Sequence, residues 1–240
     1  MARRLSGLMI TDIMQSARYL AQRPDVDSKS IAVLGFSMGS LVSSFACALD
    51  TSVRACVLVG GGDLDGAGGY WDKSAKMCQG IPYQSLSFLG ERGPAIYALN
   101  AKRGFTLVYN GTADKVVDIP NHGEEFFAKM HEQTVAMLGN KKDAFEYEFL
   151  PGGGHQPYFL TKPVALWLNE KLKFPNWTKK QIVAMAETQM PDGTMALGTD
   201  IPAVPREDLR AIPDVIWNAQ EDNFVYEAWR DRAKAALGMK

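Results

Sequence analysis

Cysteine and histidine are both scarce in this chain of 240 residues, with three of each. Cys47, Cys56 and Cys78 are irregularly spaced and form neither a disulfide framework nor a C-x-x-C metal pattern. Cys47 and Cys56 lie in apolar runs, as buried thiols do. An excess of charge is missing too: 26 Lys and Arg against 27 Asp and Glu leave a net charge of −1. That balance gives no reason to expect nucleic acid or an anionic membrane surface as a partner. No apolar stretch approaches a transmembrane span. Met1-Ala2-Arg3-Arg4 is basic, but the residues after it are polar and amphipathic, which does not make a secretory signal. Internal repeats and low-complexity segments are lacking. What is present is an ordinary globular composition, 46% apolar and 22% charged, with room for one large α/β domain or one domain plus an appendage.

The most informative stretch is Ser30 to Ser40. Ile31 to Leu34 is continuously apolar and reads as a buried strand. Gly35-Phe36-Ser37-Met38-Gly39 then fits G-x-S-x-G, and Leu41, Val42, Phe45, Ala46 and Leu49 recur at helical spacing. Strand, sharp turn and helix with serine at the tip make a nucleophile elbow. The glycines two residues either side of the serine avoid collision between strand and helix. The turn lifts the hydroxyl to a helix N-terminus, which favours developing negative charge. The plain alternative is a glycine-flanked turn in which Ser37 is an N-cap.

Around this stretch the chain alternates. Leu8, Ile13, Ala17 and Leu20 mark an amphipathic helix that stops at Arg23-Pro24. Val53–Val59 is a second strand, Gly104–Asn110 a third and Phe145–Leu150 a fourth. Residues 63–103 are less regular, with Gly66, Gly68 and Gly69 beside Tyr70, Trp71, Tyr83, Phe88 and Tyr97. They read as a cap-like insertion that either lines a substrate pocket or packs onto the domain. Helices are expected at about Asn121–Leu138 and at Pro163–Leu172, with proline in the first turn of the latter. Alternating strands and helices mean a parallel sheet with helices on both faces. From Phe174 the rhythm changes: a capping box at Thr178–Gln181, a proline-rich stretch over 190–214 and a helix at 221–237. The expected organisation is a catalytic domain over 1–174 and a mostly helical arm over 175–240.

A serine hydroxyl needs a base, and the base needs an orienting group. His122 and His131 sit in a helix at a spacing that shares no ligand face, and read as exposed helix histidines. His155 follows Gly152-Gly153-Gly154 in a loop beyond the fourth strand, free to aim its imidazole across the sheet end. Asp114, in a Gly-Thr-Ala-Asp turn after the third strand, is the candidate acid, with Asp118 as its competitor. Asp114 could also be a simple turn former, and His155 a surface-loop residue. The order Ser37, Asp114, His155 is that of the α/β-hydrolase triad, each member just past a strand.

The chain resembles the carboxyl-terminal two-thirds of an α/β-hydrolase of the dienelactone-hydrolase and acetyl-xylan-esterase-like group. Arg23-Pro24-Asp25-Val26-Asp27, Asn110-Gly111-Thr112-Ala113-Asp114-Lys115-Val116-Val117 and Gly154-His155 carry that resemblance, which covers about residues 8–174. It implies a serine esterase with nucleophile Ser37, acid Asp114 and base His155, acting on a small-molecule or carbohydrate ester. It implies no metal and no organic cofactor. The departures are specific: the strands that precede the elbow in this fold are not found, nor is the loop that supplies one oxyanion-hole N–H. Met38 N–H would supply the other. The amino-terminal strands are thus expected to lie upstream, leaving an exposed sheet edge through which copies of the chain could pair. The compartment stays open. So do two other readings, a non-catalytic domain that binds a ligand or partner, and a serine peptidase of the same fold.

Overall fold

In the computed structural model the four apolar runs become four parallel strands, β1 (Ile31–Phe36), β2 (Val53–Val59), β3 (Phe105–Gly111) and β4 (Phe145–Leu150). They pair in sequential order, β1-β2-β3-β4. The residues described are 5–61, 89, 91–117, 119–139 and 141–185. Outside them lie Tyr70, Trp71, Tyr83, Phe88, Cys78 and Asp118, the stretch 190–214 and the expected helix at 221–237. The chain divides into two compact units, 1–196 and 197–240, and every described residue belongs to the first.

The period of two along each strand sorts side chains onto two faces. On one face Ile31, Val53, Cys56, Leu58, Val108 and Phe145 form a core. Helices α1 (Leu5–Gln22), α2 (Met38–Leu49), α3 (Arg92–Ala101) and α4 (Ile119–Met137) supply Ala17, Leu41, Cys47, Ile96, Tyr97, Phe127 and Met130 to it. On the other face Ala55, Val57, Val59, Leu107 and Tyr109 meet Val164, Trp167, Leu168 and Leu172 of α5 (Lys162–Leu172). Central β2 is buried almost throughout, as a parallel strand covered on both faces must be. Cys47 and Cys56 are buried free thiols. Burial, and then the neighbouring Cys47, push the Cys56 thiol well up.

Polar groups tie the helices down. Arg18 of α1 meets Asp50, at the end of α2, at 2.8 Å, and Asp50 is 2% exposed. Asn100 closes α3 onto β3 through Thr106 Oγ1 and the Phe105 carbonyl. A capping box, Thr178 with Gln181, opens α6 (Lys179–Ala184), and Ile182 is buried.

Three local expectations change. Residues 92–101 are helical, because Pro94 sits in the first turn, where its missing N–H costs nothing. Helix α4 is broken at Gly123 (φ 66°). The apolar run of β1 is not buried throughout, since Leu34 is 38% exposed, while its open edge is as expected: among the described residues β1 has β2 as its one partner. Leu58 at the centre of the sheet has no exposed surface. Leu58→Ala should therefore lower the unfolding free energy by about 2–5 kcal/mol. Leu49→Ala, at the exposed end of α2, should stay within about 0.5 kcal/mol. Urea denaturation at unchanged m value measures both.

Candidate active site

The sharp turn from β1 to α2 holds Ser37 at φ 55° and ψ −120°. A non-glycine residue at positive φ is strained, by roughly 1–3 kcal/mol, and persists only where its surroundings hold it. Here they do. The Ser37 N–H donates to the Val59 carbonyl at 2.9 Å, and the Ser37 carbonyl accepts from the Ser40 N–H at 2.9 Å. The Ser40 hydroxyl lies 2.7 Å from the Val59 carbonyl and 3.0 Å from that of Gly35. Gly35 is required by contact, since a Cβ there would stand 2.3 Å from the Gly39 carbonyl oxygen. Gly39 is not: a Cβ there would meet nothing within 4 Å, so the expected collision exists on one side of the serine only. The Ser37 side chain does not cap α2. Met38 opens that helix, where the first N–H groups have no intrahelical partner and carry the positive end of the dipole.

Asp114 leaves the end of β3 in a turn and has no exposed surface. Its Oδ1 accepts from the backbone N–H of Val116 at 2.9 Å and of Val117 at 3.3 Å. Its Oδ2 lies 2.8 Å from Nδ1 of His155. With Nδ1 donating to the carboxylate, a neutral imidazole keeps Nε2 as an acceptor. The β3–β4 pairing continues past the strands to bring these two residues together. Thr112 N–H donates to the Leu150 carbonyl at 3.0 Å, and Ala113 N–H to the Gly153 carbonyl at 2.8 Å.

His155 also packs on Phe36, with ring centroids 4.6 Å apart, and Phe36 is the residue before Ser37. The structure thus brings Asp114 and His155 into contact and seats the imidazole beside the serine turn. Among the described residues the Ser37 hydroxyl makes no hydrogen bond, so the expected Ser37–His155 bond is not closed here. His131 is distant in role: its ring lies against Phe145 and Tyr147. Among the described residues no cluster of His, Cys, Asp and Glu could hold a metal ion. A cavity of about 640 Å³, lined by Tyr109, Glu146, Trp167 and Trp177, lies on the α5 side and contains none of the three candidate residues.

Tyr158 escaped the sequence reading, for nothing in Pro157-Tyr158-Phe159-Leu160 marks it as more than core. Its hydroxyl donates to the Gly154 carbonyl at 2.6 Å and so fastens the residue before His155. Burial first, then the nearby charge of Asp114, raise this phenol to about 12. The unfolded chain would release the proton near 10 and the folded chain near 12, so this contribution to stability is full below pH 10 and lost between pH 10 and 12. Tyr158→Phe removes the donor and should destabilise by about 1–3 kcal/mol at neutral pH. Its deficit relative to wild type should shrink as the pH rises from 10 to 12, followed by denaturant unfolding across that window.

Residues 2–182 match the prolyl oligopeptidase family, peptidase S9. The chain is 37% identical over 51 residues to YtaP of Bacillus subtilis (strain 168), described as a hydrolase, a match spanning 21% of this chain and 17% of that protein. Among solved structures it superposes on a puromycin-hydrolyzing peptidase of Mycobacterium tuberculosis with TM-score 0.50 and 16% identity, covering 72% of this chain and 26% of that one. Dipeptidyl peptidase 4 of Porphyromonas gingivalis gives 0.51 and 17%, covering 71% and 24%. The methylesterase BT1017 gives 0.50 and 19%, covering 75% and 38%. This chain therefore spans about a quarter of the length of those two peptidases. The parallel sheet, the strained serine turn and a family match over three-quarters of the sequence place this chain in the prolyl oligopeptidase family, within the α/β-hydrolase superfamily.

Proposed function

We propose that this protein is a serine hydrolase of carboxylic esters, with Ser37 as nucleophile, His155 as general base and then acid, and Asp114 as the orienting carboxylate. The observation that supports it best is the 2.8 Å Asp114–His155 contact beside the strained serine turn. Ser37 Oγ attacks the ester carbonyl while Nε2 of His155 takes its proton. The carbonyl oxygen becomes an oxyanion and accepts from the Met38 N–H at the start of α2. The ester C–O bond breaks, the departing alkoxide receives the proton from the imidazolium, and an acyl-Ser37 remains. Water, deprotonated by His155, then releases the acid and restores the serine. Hydrogen bonds of this kind commonly tighten only with substrate in place, so the open Ser37–His155 contact fits this cycle.

Ester is preferred to amide because an ester carbonyl is more electrophilic and an alkoxide leaves far more readily than an amide anion, so the chemistry asks less of the oxyanion site. Acetylated carbohydrate is the substrate class that the sequence resemblance implies. A serine peptidase is the second reading, favoured by the family match and by the two peptidases of similar fold. A fluorophosphonate probe, p-nitrophenyl acetate and an alanyl p-nitroanilide separate the cases. Wild type should be labelled at Ser37 and should cleave the acetate faster than the anilide. Ser37→Ala should abolish labelling, and Asp114→Asn should keep the fold yet lower kcat by about 10⁴-fold. Labelling that survives Ser37→Ala would overturn the assignment; a faster anilide would make the protein a peptidase.

A further inference from the structure

Asn110 is the last residue of β3 but one, and is 1% exposed. Its side-chain amide makes two hydrogen bonds, and both go to one residue on the neighbouring chain segment. Oδ1 accepts from the Gly61 N–H at 3.2 Å, and Nδ2 donates to the Gly61 carbonyl at 2.8 Å. The β2–β3 ladder itself ends at Val59 and Tyr109. The amide thus stands in for a peptide group and carries the pairing beyond the ladder, where the sheet no longer needs it.

What it holds is the exit of β2. Gly60 has φ +62°, a conformation open to glycine at little cost. A Cβ on Gly60 would lie 2.9 Å from Cε1 and 3.1 Å from Nδ1 of His155, and 2.9 Å from Cε2 of Phe36. The Gly60 backbone is therefore a wall against the edge of the imidazole that joins Nδ1 to Cε1. Nε2 is bonded to that same Cε1, so a shift of the wall re-aims it. The carbonyl of Val59, one residue earlier, also receives the Ser37 N–H. One short segment thus touches both the turn that carries the serine and the ring that would activate it.

We propose that Asn110 is a positioning residue for the hydrolase site: through Gly61 and Gly60 it fixes the wall that seats the His155 imidazole. This rests on the reading of His155 as the base. Asn110 touches no reacting atom and acts only through the backbone it holds. A side chain that merely filled volume here could be replaced by leucine, which is close in size and makes no hydrogen bond.

The test uses the full chain with Asn110→Leu, Asn110→Ser and Gly60→Ala, which crowds the ring directly. Three quantities are read: the rate of fluorophosphonate labelling, kcat and KM for p-nitrophenyl acetate, and the downfield proton resonance of His155 Nδ1–H, assigned by its loss in His155→Gln. Labelling and kcat should fall about 10- to 100-fold in each folded variant, since small misplacement of a catalytic group is that costly. KM should stay within about twofold, as expected when a transition-state interaction alone is lost. The His155 resonance should shift or broaden away. A folded Asn110 variant that labels within twofold of wild type and keeps the resonance overturns the proposal, whatever its Tm. Should Asn110→Leu fail to fold, Asn110→Ser and Gly60→Ala carry the same readouts. Failure of the underlying triad looks different: Ser37→Ala would still react, and the His155 resonance would still report whether Asn110 seats the ring.

Discussion

A carboxylate with no exposed surface must have its charge answered by the protein around it. Asp114 is such a group, and much of the sheet's carboxyl end is arranged to answer it. Two backbone N–H groups of its own turn take one oxygen, and the His155 imidazole takes the other. The first pair shapes the turn after β3. The second requires the loop after β4 to come within reach, which the register of Thr106 with Phe145 through Gly111 with Leu150 provides. A slip of one residue in that register would turn β4 over and carry His155 away from the acid.

The serine turn poses the opposite problem, strain rather than burial. Its positive φ is held by hydrogen bonds from both sides: the Val59 carbonyl anchors the Ser37 N–H, and Ser40 spans the Gly35 and Val59 carbonyls. The strain at Ser37 is thus stabilised by β2, the most deeply buried strand in the sheet. The same strand exit meets His155 and Phe36. Elbow, wall and acid turn are three strand ends in a row, and parallel pairing brings all of them to one edge.

This arrangement does not by itself choose a substrate. An acyl transfer to serine is the same first step for an ester and for a peptide, and the fold hosts both chemistries. The choice lies in the groups that surround the scissile bond. The firmness of the imidazole is a separate matter, held by Tyr158 on the loop side and by the Gly60 wall on the other.

Local chemistry made a large share of this protein legible from its residues. Val53–Val59 and Phe145–Leu150 are strands over the expected spans, because a short apolar or alternating run between turn residues has few other ways to be satisfied. The capping box at Thr178 and the proline-led helix at Lys162 formed for equally local reasons. The serine turn was readable because Gly35 leaves a mark wherever backbones approach so closely. Helix α3 was obscured by Gly93 and Pro94, breakers that the first turn of a helix tolerates. Tertiary structure alone decided the rest. The open edge of β1 was expected, but the exposure of Leu34 was not, because an apolar run reads the same whether or not its face is covered. Tyr158 carries no pattern at all, and Asn110 is marked only as the first residue of a phrase that carries the family resemblance: each matters through one backbone group that folding brings to it, Gly61 across 49 residues of chain and Gly154 four residues away on a tight loop. A hydrogen bond to a peptide group can be made to any residue type, so its partner leaves no signature in the sequence.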